Sequence, residues 1–204
     1  MRPLDLDAAD RLEAALQRAW RHRSLAKARD SLAMSLGLVG LRWCEVSRIR
    51  VRDLDHQNHL LEVHTGKGGI DRILDLSEWF AESLKILDWR TRSNDPQRKL
   101  DLLFRTSTGS ALRYEAIARR CSDWTKRITG RAYSFHCLRH TAAVRCYENT
   151  RDVLQVQRLL GHRSLRWTDE YLRSLQSIDV SGMSRITRTA SIQVRIYDPD
   201  RRIG

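Results

Sequence analysis

Lysine is scarce in this chain: only five of its 37 basic residues are Lys, and the other 32 are Arg. Proline is almost missing, confined to Pro3, Pro96 and Pro199, so long helices are permitted. Cysteine occurs four times, at Cys44, Cys121, Cys137 and Cys146, at irregular spacing and without a Cys-x-x-Cys pair. That leaves no thiol framework for a disulfide-stapled fold, and the four read as small buried hydrophobes of a reducing compartment. No run approaches the roughly 18 apolar residues that a membrane helix needs. The first ten residues, MRPLDLDAAD, carry acids where a signal peptide would carry an apolar stretch. Repeats and low-complexity tracts are also lacking. Together these absences predict a cytoplasmic, soluble chain without a membrane partner.

What is present is a globular composition with a strong charge bias. The chain has 204 residues, of which 41% are hydrophobic, and a formal net charge of +12. A chain of this length and apolar content can bury a sizeable core. The surplus of guanidinium groups, which contact phosphate in a planar, two-pronged fashion, points to a polyanionic partner, in the first place nucleic acid. A merely solvated basic surface is the plain alternative.

Periodicity predicts a mostly helical domain. Leu12, Leu16, Ala19 and Trp20 recur at helical spacing, and Ser24 is placed to cap a second helix through Leu32 and Met34. Gly37 and Gly40 read as breaks before a short helix near 42–50. The period then changes. Leu60, Leu61 and Val63, then Ile70, Ile73, Leu74 and Leu76, flank a Gly-rich turn, Thr65-Gly66-Lys67-Gly68-Gly69, as in a β-hairpin. Helical patterns follow at about 78–89, 113–128, 134–147 and 150–160, with a last turn or two at 168–174. Residues 91–100 read as a polar linker. The Trp residues read mostly as core. The expected fold class is α+β, mostly helical, with a small antiparallel hairpin or sheet in the N-terminal third. Residues 1–180 are expected to form one domain. Residues 181–204 form a tail whose segment 191–197 alternates like a strand (Ile192, Val194, Ile196) and must find an edge in this chain or a neighbour.

Three segments are dense in groups that handle phosphate: Gly40-Leu41-Arg42-Trp43-Cys44-Glu45, His136-Cys137-Leu138-Arg139-His140, and Leu160-Gly161-His162-Arg163-Ser164, with Tyr171 nine residues past His162. On a helix, His136, Arg139 and His140 fall on one face, which suits an anion better than a core. Three solvated polar groups on a surface helix would be the plainer reading. Other motifs are weaker. Gly66-Lys67 lacks the frame of a phosphate-binding P-loop. His56-x-x-His59 with His64 has no second ligand pair at zinc spacing. Asp53 and Asp55, conceivable as metal ligands, more simply precede a strand.

His136-x-x-Arg139-His140-Thr141 resembles the His-x-x-Arg-His box of the tyrosine recombinase, or phage integrase, family, and Leu160-Gly161-His162-Arg163-Ser164 resembles its Leu-Gly-His-x-Ser box. Gly40-Leu41-Arg42-Trp43-Cys44-Glu45-Val46 is similar to its Gly-Leu-Arg-x-x-Glu box. Lys67 sits where the family carries a hairpin lysine, and Leu103-Phe104 with Gly109 looks like its connector. The resemblance spans about residues 25–175 and implies a catalytic domain that breaks and rejoins double-stranded DNA. It implies that Tyr171 attacks a phosphorus, forming a 3′-phosphotyrosyl ester and releasing a 5′-hydroxyl. A phenol, with a pKa near ~10, needs help to lose its proton, and His136 is the implied base. Arg42 and Arg139 are the implied holders of the phosphorane oxygens, where one donor is worth roughly 10²–10³ in rate. His162 adds a donor, Lys67 protonates the leaving oxygen, and Glu45 and His140 support. The scheme implies no metal, no cofactor and no ATP. Family resemblance further implies self-association on DNA as a tetramer, a nucleoid-associated location and a bacterial or phage origin. Members usually carry an additional helical DNA-binding domain ahead of this one. The short segment before Arg42 reads as the catalytic domain's own first helices, so weaker and less specific DNA binding is expected. The alternatives are a recombinase-like DNA-binding module without efficient turnover, and a nicking-closing activity of the topoisomerase IB kind.

Overall fold

The computed structural model describes residues 3–64, 70–92, 102–164, 166 and 168. The expected Lys67, Trp167 and Tyr171, the polar linker beyond residue 92 and the tail with its strand 191–197 lie outside the described residues.

Seven α-helices and three short strands follow one another in the order α1 (Leu6–Ala19), α2 (Leu25–Leu38), α3 (Trp43–Val46), β1 (Leu54–Asp55), β2 (Leu60–Val63), β3 (Arg72–Asp75), α4 (Glu78–Arg92), α5 (Tyr114–Thr129), α6 (Phe135–Thr150) and α7 (Val153–Leu160). A 3₁₀ turn, Val51–Asp53, precedes β1. Short polar side chains start most of the long helices. Asp5 accepts from the Ala8 N–H, Ser24 from Lys27, Ser134 from Cys137 and Asp152 from Leu154. Such caps satisfy backbone donors that a helix start leaves orphaned, each worth about 1 kcal/mol.

Helix α2 is the axis of the domain. It is buried from Ala28 to Leu38 without a solvent face, and α1, α4 and α6 pack around it. Leu12 and Leu16 of α1, Leu32, Met34 and Leu36 of α2, Phe80 and Leu84 of α4 and Phe135 and Leu138 of α6 form one continuous core. Large apolar side chains of this kind contribute roughly 1.5–3 kcal/mol each on burial. Gly37 does not break α2, contrary to expectation. The helix runs through it because a Cβ there would lie 3.0 Å from the Phe135 ring and 3.2 Å from Leu138, so glycine is the residue that lets α6 approach. Arg145 of α6 bonds Asp10 and Glu13 of α1, closing the bundle on its other side.

The sheet is antiparallel with strand order β1-β2-β3. Leu61 pairs with Leu74 and Val63 with Arg72, which puts Leu61, Val63 and Leu74 on the core side. The expected hairpin is therefore present, widened by the short strand β1. The last helix differs from expectation at its start. Thr150 still belongs to α6, Arg151 takes a left-handed conformation, and Asp152 caps α7. Two compositional expectations also need correction. Only Cys121 and Cys137 are buried, while Cys44 is exposed and Cys146 half-buried. Among the described Trp residues none is fully buried. Trp20, Trp43, Trp79 and Trp124 line the margin of the core, where large amphipathic rings fit best, and Trp89 is 69% exposed. No described helix is long and apolar enough to cross a membrane.

Candidate active site

The three phosphate-handling segments come together where the C-terminal end of α2, the N-terminal half of α6 and the C-terminal end of α7 meet the strand β3. Arg42 is the N-cap of the short α3, and Glu45 lies one turn on. The carboxylate of Glu45 turns back on its own helix start. Its Oε2 accepts from the Arg42 N–H at 2.8 Å, and its Oε1 accepts from Arg42 Nη1 at 3.0 Å. The Arg42 side chain stays 36% exposed, so its guanidinium reaches solvent while anchored at one nitrogen.

Arg139 is the opposite case. It is the largest fully buried side chain of the described residues. Its Nη1 donates to the Gly40 carbonyl and its Nη2 to the Leu160 carbonyl at 2.7 Å, with His162 Nε2 at 3.2 Å from the same nitrogen. Its Nη1 also lies 3.8 Å from Glu45 Oε2. One arginine thus ties the first segment to the third across α6. The Gly40 and Leu160 carbonyls sit at helix ends, where backbone acceptors lack helical partners, so Arg139 supplies what the two chain ends need.

His162 follows Gly161, which caps α7 in the left-handed conformation at φ 61°. Its Nε2 faces a guanidinium that can only donate, so Nε2 is the acceptor and the proton rests on Nδ1. Nδ1 then donates to the Thr168 hydroxyl, 3.0 Å away. The electrostatics agree with a neutral ring. Desolvation, then the charges of Arg139, Arg42 and Arg72, bring the His162 pKa down to about 4. In the resting site the ring is an acceptor toward Arg139, and it presents a donor to an incoming anion only after reorganisation.

The expected common face of His136, Arg139 and His140 is unevenly buried. His136 is exposed, Arg139 and His140 are buried. The two imidazoles meet edge to face with centroids 4.5 Å apart. Desolvation, followed by the charges of Arg139 and Arg42, lowers the His136 pKa, which keeps that ring in the neutral form a base requires. Desolvation and the neighbouring His136 push His140 down to about 4. The indole of Trp43 stands edge-on to Phe135, centroids 5.5 Å apart, and links the residue after Arg42 to the residue before His136.

Two groups escaped the sequence reading. Thr168 carries no signal of its own in the sequence beyond falling in the expected helical turn 168–174. Arg72, on β3, is 5% exposed, and its Nη1 and Nη2 donate to Glu45 Oε1 at 3.3 Å and Oε2 at 3.0 Å. Burial alone would raise the Glu45 carboxyl. The hydrogen bond and charge of Arg72, the Arg42 N–H and the charge of Arg139 outweigh that and hold it below its ordinary value. Three guanidiniums therefore face one ionised carboxylate, an excess of positive charge that suits a phosphate at the partly exposed Arg42. The weaker motifs find local uses. Asp53 accepts from the Arg50 N–H at 2.8 Å, and Asp55 closes a turn by accepting from Gln57 and Asn58. Among the described residues no three His, Cys, Asp or Glu side chains gather as a metal site.

The model of the phage integrase family matches residues 3–177. The tyrosine recombinase XerC of Shewanella amazonensis is 33% identical over 161 residues, 78% of this chain and 52% of that one. The tyrosine recombinase XerD of Chlamydia pneumoniae is 28% identical over 171 residues, 83% of this chain and 55% of that one. The chain spans about half the length of these relatives. Among solved structures, the XerH site-specific recombinase in a post-cleavage complex with its difH substrate superposes with a TM-score of 0.72 at 24% identity, over 88% of this chain and 52% of that one. The XerA recombinase gives 0.68 at 25% identity, over 92% and 67%. With its helical core, its small antiparallel sheet and its three motif segments gathered around Glu45, the chain belongs to the phage integrase family, the tyrosine recombinases.

Proposed function

We propose that this chain is the DNA strand-transfer domain of a site-specific recombinase. The observation that carries this reading is the convergence of Arg42, Arg139 and His162, far apart in sequence, around one buried carboxylate. Such a cluster holds a phosphodiester and stabilises the extra negative charge of its phosphorane. In the proposed reaction the Tyr171 oxygen bonds to phosphorus as the bond to the 5′-oxygen breaks. The phenol proton passes to His136, whose lowered pKa keeps it able to accept, and Lys67 delivers a proton to the departing 5′-oxygen. The 3′-phosphotyrosyl ester keeps the bond energy, so a 5′-hydroxyl from another strand reverses the step and joins new partners. Glu45 orients Arg42, and His140 buttresses His136.

Residues 1–180 act as this domain and 181–204 as a tail. Double-stranded DNA is the substrate, four copies on two duplexes are the working assembly, and the cytoplasm, on the nucleoid, is the place of action. The relatives named above are recombinases of bacteria, which favours recombination over simple nicking and closing.

A pool of nicked duplexes of randomised sequence tests the proposal, because the nick lets the short fragment bearing the released 5′-hydroxyl diffuse away and traps the ester. A protein–DNA adduct that survives denaturation, and that Tyr171→Phe fails to form, is the expected result. An adduct-free wild type that still retains duplex DNA would identify a binding module. Relaxation of supercoiled plasmid with no joint molecules would identify a nicking-closing enzyme.

A further inference from the structure

Arg72 is a buried cation beside the site that the proposed chemistry leaves unused. It is costly where it stands. Its Nε is buried and makes no hydrogen bond among the described residues, and apolar side chains replacing a buried ion pair as a whole often cost no stability. What an arginine adds is its fork. Both terminal nitrogens grip the two oxygens of Glu45 at 3.3 and 3.0 Å, with side-chain exposures of 2% and 3%. Glu45 in turn holds Arg42 by its backbone and its guanidinium. The same fork fills the space over Gly161, where a Cβ would come 2.9 Å from Arg72 Nη1 and 3.1 Å from the Ile70 carbonyl. Arg72 therefore touches the first segment through Glu45 and the third through Gly161.

We propose that Arg72 is a positioning residue of this active site: it fixes the plane of the Glu45 carboxylate and thereby the direction in which Arg42 meets the phosphate. This rests on the strand-transfer reading of the site. Arg72 is 5% exposed and both its terminal nitrogens are held by Glu45, so its main effect runs through that carboxylate. Among the described residues, the carboxylate is faced by Arg42 from α3, Arg72 from β3 and Arg139 from α6, with His162 beyond Arg139.

The test is a double-variant cycle on the rate of adduct formation, with the nicked duplex that the wild type captures best. Arg72→Met should slow adduct formation by about 10-fold or more, with duplex affinity unchanged within about threefold, because a buried side chain makes no phosphate contact. Arg72→Lys keeps the charge without the fork and should recover part of the rate. Glu45→Gln should also slow the reaction, and Arg72→Met with Glu45→Gln together should be no slower than the slower single variant. The pH profile separates positioning from general loosening. Without Arg72 the hydrogen bond and charge that hold the buried Glu45 carboxyl down are gone and it titrates upward, so as pH falls Arg72→Met should lose rate at a higher pH than either the wild type or the double variant. If Arg72→Met does not fold, Arg72→Lys carries the same cycle. A wild-type rate in the Arg72 variant that folds, or losses that add in the double variant, overturns the inference while wild-type adduct formation stands. No adduct from the wild type on any duplex overturns the reading of the site and this inference with it.

Discussion

At the scale of single residues, the site is organised by who donates to whom. Glu45 can only accept and is met by three guanidiniums. Arg139 can only donate and is met by two carbonyls and a neutral imidazole. His162 sits between Arg139 and Thr168, so its tautomer follows from its neighbours. Thr168→Val removes the acceptor for His162 Nδ1. The loss of one hydrogen bond, about 1 kcal/mol, should slow adduct formation by about 5- to 10-fold with little change in melting temperature. A rate equal to wild type would show that the ring needs no such anchor. The histidines also predict an acid response. His140 and His162 both bind protons less readily in the fold than in the open chain, with pKa about 4 against an ordinary 6.5. Protonation then favours the unfolded state, so the stability they contribute is full above about pH 6.5 and is lost as pH falls toward 4. Melting temperatures measured across that window should fall, and less steeply in His140→Gln, which cannot take up the proton. A parallel decline in both would contradict the assignment.

At the scale of elements, two glycines decide how closely the parts approach. Gly161 needs glycine twice over, for its φ of 61° and for the Arg72 guanidinium and Ile70 carbonyl lying over it. Gly161→Ala should cost about 1–2 kcal/mol, roughly 2–8 °C in melting temperature for a chain of this size, and should slow adduct formation as well. Gly37→Ala sets two effects against each other. Alanine improves a helix by up to about 1 kcal/mol. Its Cβ would press on Phe135 and Leu138 at 3.0 and 3.2 Å, and overpacking of that kind costs about 1–3 kcal/mol. Overpacking should win because both neighbours are locked in the core, and the melting temperature should fall; a rise would mean that α2 and α6 can slide apart cheaply.

The same glycine shows where the sequence was legible and where it was not. The cap at Ser24, the helix start at 134 and the apolar pattern of Leu60–Val63 are local signals, and the elements stand where those signals put them. Gly37 looked like a local break because the reason for it, the Phe135 ring, lies far along the chain. The three motif segments could be recognised because each carries several residues at fixed spacing. Arg72 could not, since a single arginine on a strand carries no signal in a chain with 32 of them. Burial was equally illegible. Nothing in the pattern of His136, Arg139 and His140 says that the middle one turns inward and the first stays out.

At the scale of the whole molecule, a net charge of +12 and an exposed Arg42 predict that duplex affinity is dominated by phosphate contacts. The logarithm of the binding constant should fall against the logarithm of salt with a slope of about −4 or steeper, as four or more displaced counterions require. A slope near zero would mean that the basic surface does not face the duplex. The central claim is the destination of the DNA phosphate. Adducts formed on nicked duplexes can be digested with trypsin and nuclease and the modified peptide located by mass spectrometry. The account predicts a nucleotide esterified through its 3′-phosphate to Tyr171, within the peptide 167–173. A nucleotide on any other residue, or a wild-type protein that binds the duplex and never acquires one, would contradict it.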